Sequence, residues 1–160
     1  MDAPANTNLG FLTVLQEPVG FVGGYLVTNP WGRPLEFRLS TAVQPNRIQQ
    51  ILYGDTLLPY VCGELIAKTL YEKTTARPWA IITDQQAVLT VRRHLSVPVA
   101  YLQTSPDRDE LPTLATHPDF PEDARIVRDK LERDFDCAEP FVRLREAISE
   151  ARKLGVTKRG

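Results

Sequence analysis

The first forty residues follow strand logic. Phe11-Leu12-Thr13-Val14-Leu15 is an apolar, β-branched run closed by Glu17-Pro18. Phe21 to Thr28 is a second such run, interrupted by Gly23-Gly24, which mark a bulge or a close backbone approach. Leu35-Glu36-Phe37-Arg38-Leu39-Ser40 alternates apolar with polar, as a strand covered on one face does. Between these two strands, Asn29-Pro30-Trp31-Gly32 fits a type I turn, with Asn first, Pro second and Gly fourth. The spacing predicts an antiparallel hairpin.

The period then lengthens. Pro45 suits the first turn of a helix, Ile48, Ile51 and Leu52 form an i, i+3, i+4 stripe, and Gly54 is a stop. Asp55 or Thr56 caps a second helical stretch, where Leu58, Val61, Cys62, Leu65, Ile66 and Leu70 make a wide apolar face and Glu64 and Lys68 an i, i+4 pair. One bent helix and a helix pair both fit. After Arg77-Pro78, Trp79-Ala80-Ile81-Ile82 is a continuous apolar strand, Asp84 a helix N-cap, and Ala87, Val88, Val91 and Leu95 the helix face. Val97 to Leu102 is another buried strand. Strand, helix and strand so closely spaced predict a right-handed βαβ unit with parallel strands.

The last third changes again. Pro106, Pro112, Pro118 and Pro121 stand among acidic residues without periodicity, which predicts an exposed linker. Asp119 and Glu122 resemble a capping box ahead of a Val127, Leu131, Phe135 stripe. Pro140 then restarts the chain, and Phe141, Leu144, Ile148 and Ala151 repeat before Gly155. The expected architecture is α/β: three antiparallel strands followed by a parallel βαβ unit in one mixed five-stranded sheet, with a C-terminal helical hairpin. Residues 1–103 are read as the mixed domain, 104–120 as the linker, 121–155 as the hairpin appendage and 156–160 as a basic tail.

Composition excludes collagen, coiled-coil rods, wholesale disorder and disulfide scaffolds: 42% of residues are hydrophobic, 24% charged, and only Cys62 and Cys137 are cysteines. Those two are read as buried or half-buried thiols. The first residues lack a basic and apolar leader pattern, and strictly hydrophobic runs reach only four residues, so a cytoplasmic protein without membrane spans is expected. The formal charge of −1 conceals polarity: +3 over 31–103, −6 over 107–139 and +4 over 140–160. An acidic arm could therefore cover a basic face of its own chain, a contact that high salt would loosen.

Chemistry-bearing residues are sparse. No GxSxG, P-loop, HExxH or GxGxxG pattern occurs. His117-Pro118-Asp119, with Glu122 and Asp123, has metal-compatible side chains, but its prolines fit a rigid helix entry better. His94 lies beside Arg92 and Arg93, far from any nucleophile in a recognisable setting. Arg33, Arg38, Arg47, Arg92 and Arg93 could converge on a patch for phosphate or carboxylate, the one feature favouring a nucleic-acid partner. Trp31, at a turn tip, either folds back over the sheet or projects to anchor a partner.

The element order β-β-β-α-β-α-β resembles the ribonuclease H-like fold over roughly residues 10–103. Ile81-Ile82-Thr83-Asp84-Gln85-Gln86 is similar to that family's fourth strand, and Gly63-Glu64-Leu65 to the position of its helix-borne glutamate. The resemblance implies a nuclease whose Mg²⁺ or Mn²⁺ would be held by Glu64 and Asp84 for in-line attack on a phosphodiester. The family's first-strand aspartate is missing, however: Phe11 to Gln16 contains no carboxylate. Two carboxylates neutralise two dications poorly. The sequence therefore favours a non-catalytic α/β binding or scaffold module acting through a protein partner or self-association. A diverged metal-dependent nuclease is the alternative.

Overall fold

A computed structural model of the protein describes residues 6–103, 113–131 and 135–155. Among the described residues six strands form one open mixed sheet: β1 (Leu9–Glu17), β2 (Gly20–Thr28), β3 (Pro34–Leu39), β4 (Ala80–Thr83), β5 (Val99–Gln103) and β6 (Thr113–Ala115). Their order across the sheet is β3-β2-β1-β4-β5-β6. β2 pairs antiparallel with both β1 and β3, β4 runs parallel to both β1 and β5, and β6 returns antiparallel to β5. The expected hairpin is present. Gly32 N–H donates to the Asn29 carbonyl at 3.0 Å, and Asn29 Oδ1 accepts from the N–H groups of Trp31 and Arg33.

The expectation of five strands is corrected to six. Residues 113–115, read as linker, pair with β5, while 104–112 lie outside the described residues. Three residues are too few to display a period of two, so the flanking prolines outweigh the strand signal there.

Helices cover both faces. They are α1 (Arg47–Tyr53), α2 (57–72), α3 (Gln86–His94), α4 (Asp123–Lys130) and α5 (Glu139–Lys153). On one face α2 and α3 close over Leu12, Val14, Tyr25, Val27, Ile81 and Val99. On the other, α4 and α5 bury Val127, Phe141, Leu144 and Ile148 against Phe11, Leu26, Ile82 and Ala100. β1 and β4 are thus covered on both sides, which is why their sequences read as continuous apolar runs.

Two neighbouring glycines make this double layer possible. A Cβ on Gly23 would lie 2.2 Å from Cγ2 of Ile66 in α2, and one on Gly24 2.4 Å from Cδ1 of Ile148 in α5. Of the two readings of Gly23-Gly24, close approach is the correct one; the β2–β3 register shift falls later, at Val27/Thr28.

Two helices differ from ordinary α geometry. Tyr60–Ala67 within α2 winds in the wider i→i+5 pattern, so that Lys68 N–H reaches the Gly63 carbonyl. Val61 and Ile66, five apart, both turn inward, whereas Leu58 and Leu65, expected inside, are exposed. α3 is a tighter 3₁₀ run, whose three-residue repeat aligns the fully buried Val88 and Val91. Its entry residue is Gln85, with no side-chain cap, which corrects the reading of Asp84 as N-cap.

Candidate functional site

The two carboxylates of the metal reading engage different layers. Glu64, in α2, is exposed and lies 3.9 Å from Nε2 of His94 in α3. Lys68, its expected partner, instead faces Glu72 at 3.9 Å. Asp84 follows β4 and forms an ion pair with Arg145 of α5, on the opposite face of the sheet. Its second oxygen, Oδ1, is buried without a hydrogen-bond partner. Among the described residues no three His, Cys, Asp or Glu side chains gather in a metal-binding group. His117 Nδ1 accepts from Asp119 N–H at 3.0 Å, which stiffens the turn before α4.

The five arginines are spread over the hairpin, α1 and α3, and three of them have carboxylate partners. Arg92 is nearly buried: Nε donates to Asp123 Oδ2 at 2.6 Å, Nη1 donates to the Leu95 carbonyl, and the guanidinium lies 3.9 Å from the Phe120 ring centroid. Asp123 is itself buried and accepts also from Val99 N–H at 3.2 Å. It opens α4 rather than following a capping box, for Glu122 makes no side-chain cap. Arg93 pairs with Asp119 at 2.6 Å in solvent. Both aspartates belong to the acidic segment, so the chain covers part of its own basic surface. Arg38 is paired with Glu36. Arg33 follows the hairpin tip, and Arg47 begins α1.

Trp31 projects from the hairpin tip, 86% exposed. The backbone beneath it is fixed, since the Gly32 carbonyl accepts from Arg143 Nη1 of α5 at 2.8 Å.

A second apolar feature is α1, whose stripe the sequence marks as a helix face but not as an exposed one. None of the seven residues of α1 is buried, and Ile48, Ile51 and Leu52 are 68%, 63% and 78% exposed. The helix is nonetheless well defined at both ends. Asn46 Oδ1 accepts from Gln49 N–H at 2.8 Å while Gln49 Oε1 accepts from Asn46 N–H at 2.9 Å, a complete capping box. At the far end Gly54 takes a positive φ of 54° and its N–H reaches the Gln50 carbonyl. Tyr53 stacks on Tyr60 of α2 at 4.8 Å between centroids, fixing α1 to the body. The i, i+3, i+4 signal was correct as helix geometry; it implied a covered face, and that face is open.

A groove of about 600 Å³ lies between the end of β3 and α2, with Arg38, Val43, Leu65, Ile66 and Lys73 in its walls. Beside it a half-buried network holds β3 to the loop after α2. Glu36 accepts from Thr74 Oγ1, Thr75 N–H and Ala76 N–H, each at 2.9 Å, and Tyr25 donates to Thr74 at 3.2 Å. Cys62 is buried and Cys137 half-buried, on opposite faces, and burial pushes both thiols up to about 11. Neither is a thiolate nucleophile at neutral pH. No helix among the described residues is long and apolar enough to cross a membrane.

No protein-family model matches the chain, and no curated protein is significantly similar to it.

Proposed function

We propose that the protein is a non-catalytic α/β binding module that acts through a protein partner, with α1 as the contact surface. The observation that carries this reading is a capped, positioned helix whose three large aliphatic side chains are mostly exposed to solvent. A seven-residue helix is marginal by itself, and a contiguous apolar face on a surface element marks an interaction site. Trp31 is a second exposed anchor. The reading of a ribonuclease H-like fold draws support from the three antiparallel strands and the parallel unit lying in one sheet. The nuclease alternative draws no comparable support, for Glu64 and Asp84 are engaged by His94 and Arg145 on different layers.

The test replaces Ile48, Ile51 and Leu52 together with Gln. The variant keeps the wild-type circular dichroism spectrum and loses association, whether read as self-association or as recovery of a specific protein in affinity purification. Unchanged association would overturn the role of α1. Cleavage of a nucleic acid that depends on Mg²⁺ or Mn²⁺ and disappears in Asp84→Asn would overturn the non-catalytic reading.

A further inference from the structure

We infer that the partner seated on α1 is a second copy of this chain, with the two α1 helices lying antiparallel across a two-fold axis. This deepens the preceding reading and rests on it. An isologous contact needs a patch complementary to itself, because residue i of one protomer meets residue j of its partner and the reverse. α1 meets that condition in three respects. Its exposed face is aliphatic, with Ile48, Ile51 and Leu52 within two turns, so a copy brings the same apolar surface to be covered. Apart from Arg47, its exposed polar residues Gln49 and Gln50 are uncharged amides held to Asn46 and Pro45, so they bring no charge towards a facing copy.

The third respect sets the direction. Arg47 opens the helix and Asp55 lies just past its Gly54 stop; both are exposed, and among the described residues neither forms an ion pair. These are opposite charges at opposite ends of one apolar stripe. Antiparallel pairing sets Arg47 of one protomer beside Asp55 of its partner, twice by symmetry. Parallel pairing would instead bring the arginines together and the aspartates together. Antiparallel packing also opposes the two helix dipoles. A heterologous acidic or basic partner would satisfy one end of the stripe and leave the other uncovered. A contact built on one seven-residue helix from each protomer makes the association reversible and dependent on concentration.

Sedimentation velocity of the full chain, from low-micromolar to near-millimolar protein, tests the inference. The wild type should shift from monomer to dimer across that range, and Ile51→Glu should stay monomeric with unchanged circular dichroism. Arg47→Glu alone and Asp55→Arg alone should each weaken the dimer by about fivefold, as exposed ion pairs allow. The double charge reversal should restore it to near the wild-type constant. A wild type monomeric throughout would overturn the inference, as would a dimer indifferent to Ile51→Glu or a double reversal no better than the singles. If the wild type is monomeric but captures a specific protein through Ile48, Ile51 and Leu52, only the second copy is refuted. If that capture is also missing, the reading of α1 as a contact surface fails with it.

Discussion

α1 and α5 carry apolar residues at similar helical spacing and meet opposite fates. Phe141, Leu144 and Ile148 of α5 are almost fully buried on β1 and β2, where Gly24 leaves room for the Ile148 side chain. Ile48, Ile51 and Leu52 of α1 are mostly in water. Periodicity specifies that side chains share a face, and says nothing about what covers it. For α5 the cover is the sheet of its own chain. For α1 the described residues supply no such cover, and the proposed function places it in a partner.

Truncating each stripe should affect the two helices very differently. Leu144→Ala or Ile148→Ala should cost up to about 5 kcal/mol, because each removes fully buried volume from a closed core. Ile51→Ala or Leu52→Ala should change stability by less than about 0.5 kcal/mol. Urea unfolding at low protein concentration, where association does not contribute, reads both. A large loss at Ile51 would mean that α1 is part of the monomer's core after all.

The same contrast between covered and open recurs in two neighbouring ion pairs. Arg92 and Asp123 have side chains only 14% and 4% exposed, whereas those of Arg93 and Asp119 are 63% and 58% exposed. Asp123→Ala should cost about 3 kcal/mol, since it strands a buried guanidinium. Asp119→Ala should cost at most about 1 kcal/mol, and that cost should vanish in high salt. Equal, salt-sensitive losses in both variants would place Asp123 in solvent.

These contrasts also mark how far the sequence could be read. β1 to β5 were legible because their punctuation is local: Glu17-Pro18, Asn29-Pro30-Trp31-Gly32 and Arg77-Pro78 bound runs of the right period. β6 was not, being three residues long beside prolines. The wide turn in α2 was not either, so ordinary α spacing points Leu58 and Leu65 inward. The opposite charges of the body and of the segment leading into α4 did signal a contact, and Arg92 with Asp123 and Arg93 with Asp119 form it among the described residues. The α1 surface had a visible signal too. Its stripe is bounded by Pro45 and Gly54 and carries few charges, but exposure depends on the path of the rest of the chain.

A helix that is covered needs its neighbours close, and α2 shows how close. A Cβ on Gly63 would fall 1.8 Å from Oγ1 of Thr90, whose hydroxyl donates to the Pro59 carbonyl at 2.9 Å. Gly63→Ala should therefore cost about 2 kcal/mol by overpacking the α2–α3 contact. Thr90→Ala in the same chain should recover part of that loss, a coupling that a double-mutant cycle isolates. Strictly additive losses would mean that the two helices stand further apart.

The helical layer that begins with the open α1 ends in a fastened loop, and pH separates the two ends. Burial pushes the Glu36 carboxyl up, but the hydrogen bonds it accepts from Ala76, Arg38, Thr74 and Thr75 outweigh that and hold it down at about 2, against an ordinary value of 4.5. A carboxyl depressed by folding stabilises the protein fully above its unfolded value, and the stabilisation is lost as pH falls from about 4.5 towards 2. Glu36→Gln should lower stability at neutral pH by roughly 1 kcal/mol, the scale of a hydrogen-bonded charged group after competing solvation. Other carboxylates titrate in the same window, so the informative quantity is the gap between wild type and variant, which should narrow on acidification. No such narrowing is expected for Ile51→Ala, since α1 carries no carboxylate. A gap for Glu36→Gln that stays constant down to pH about 2 would show that the loop is held by its backbone alone, leaving both ends of the helical layer equally indifferent to charge.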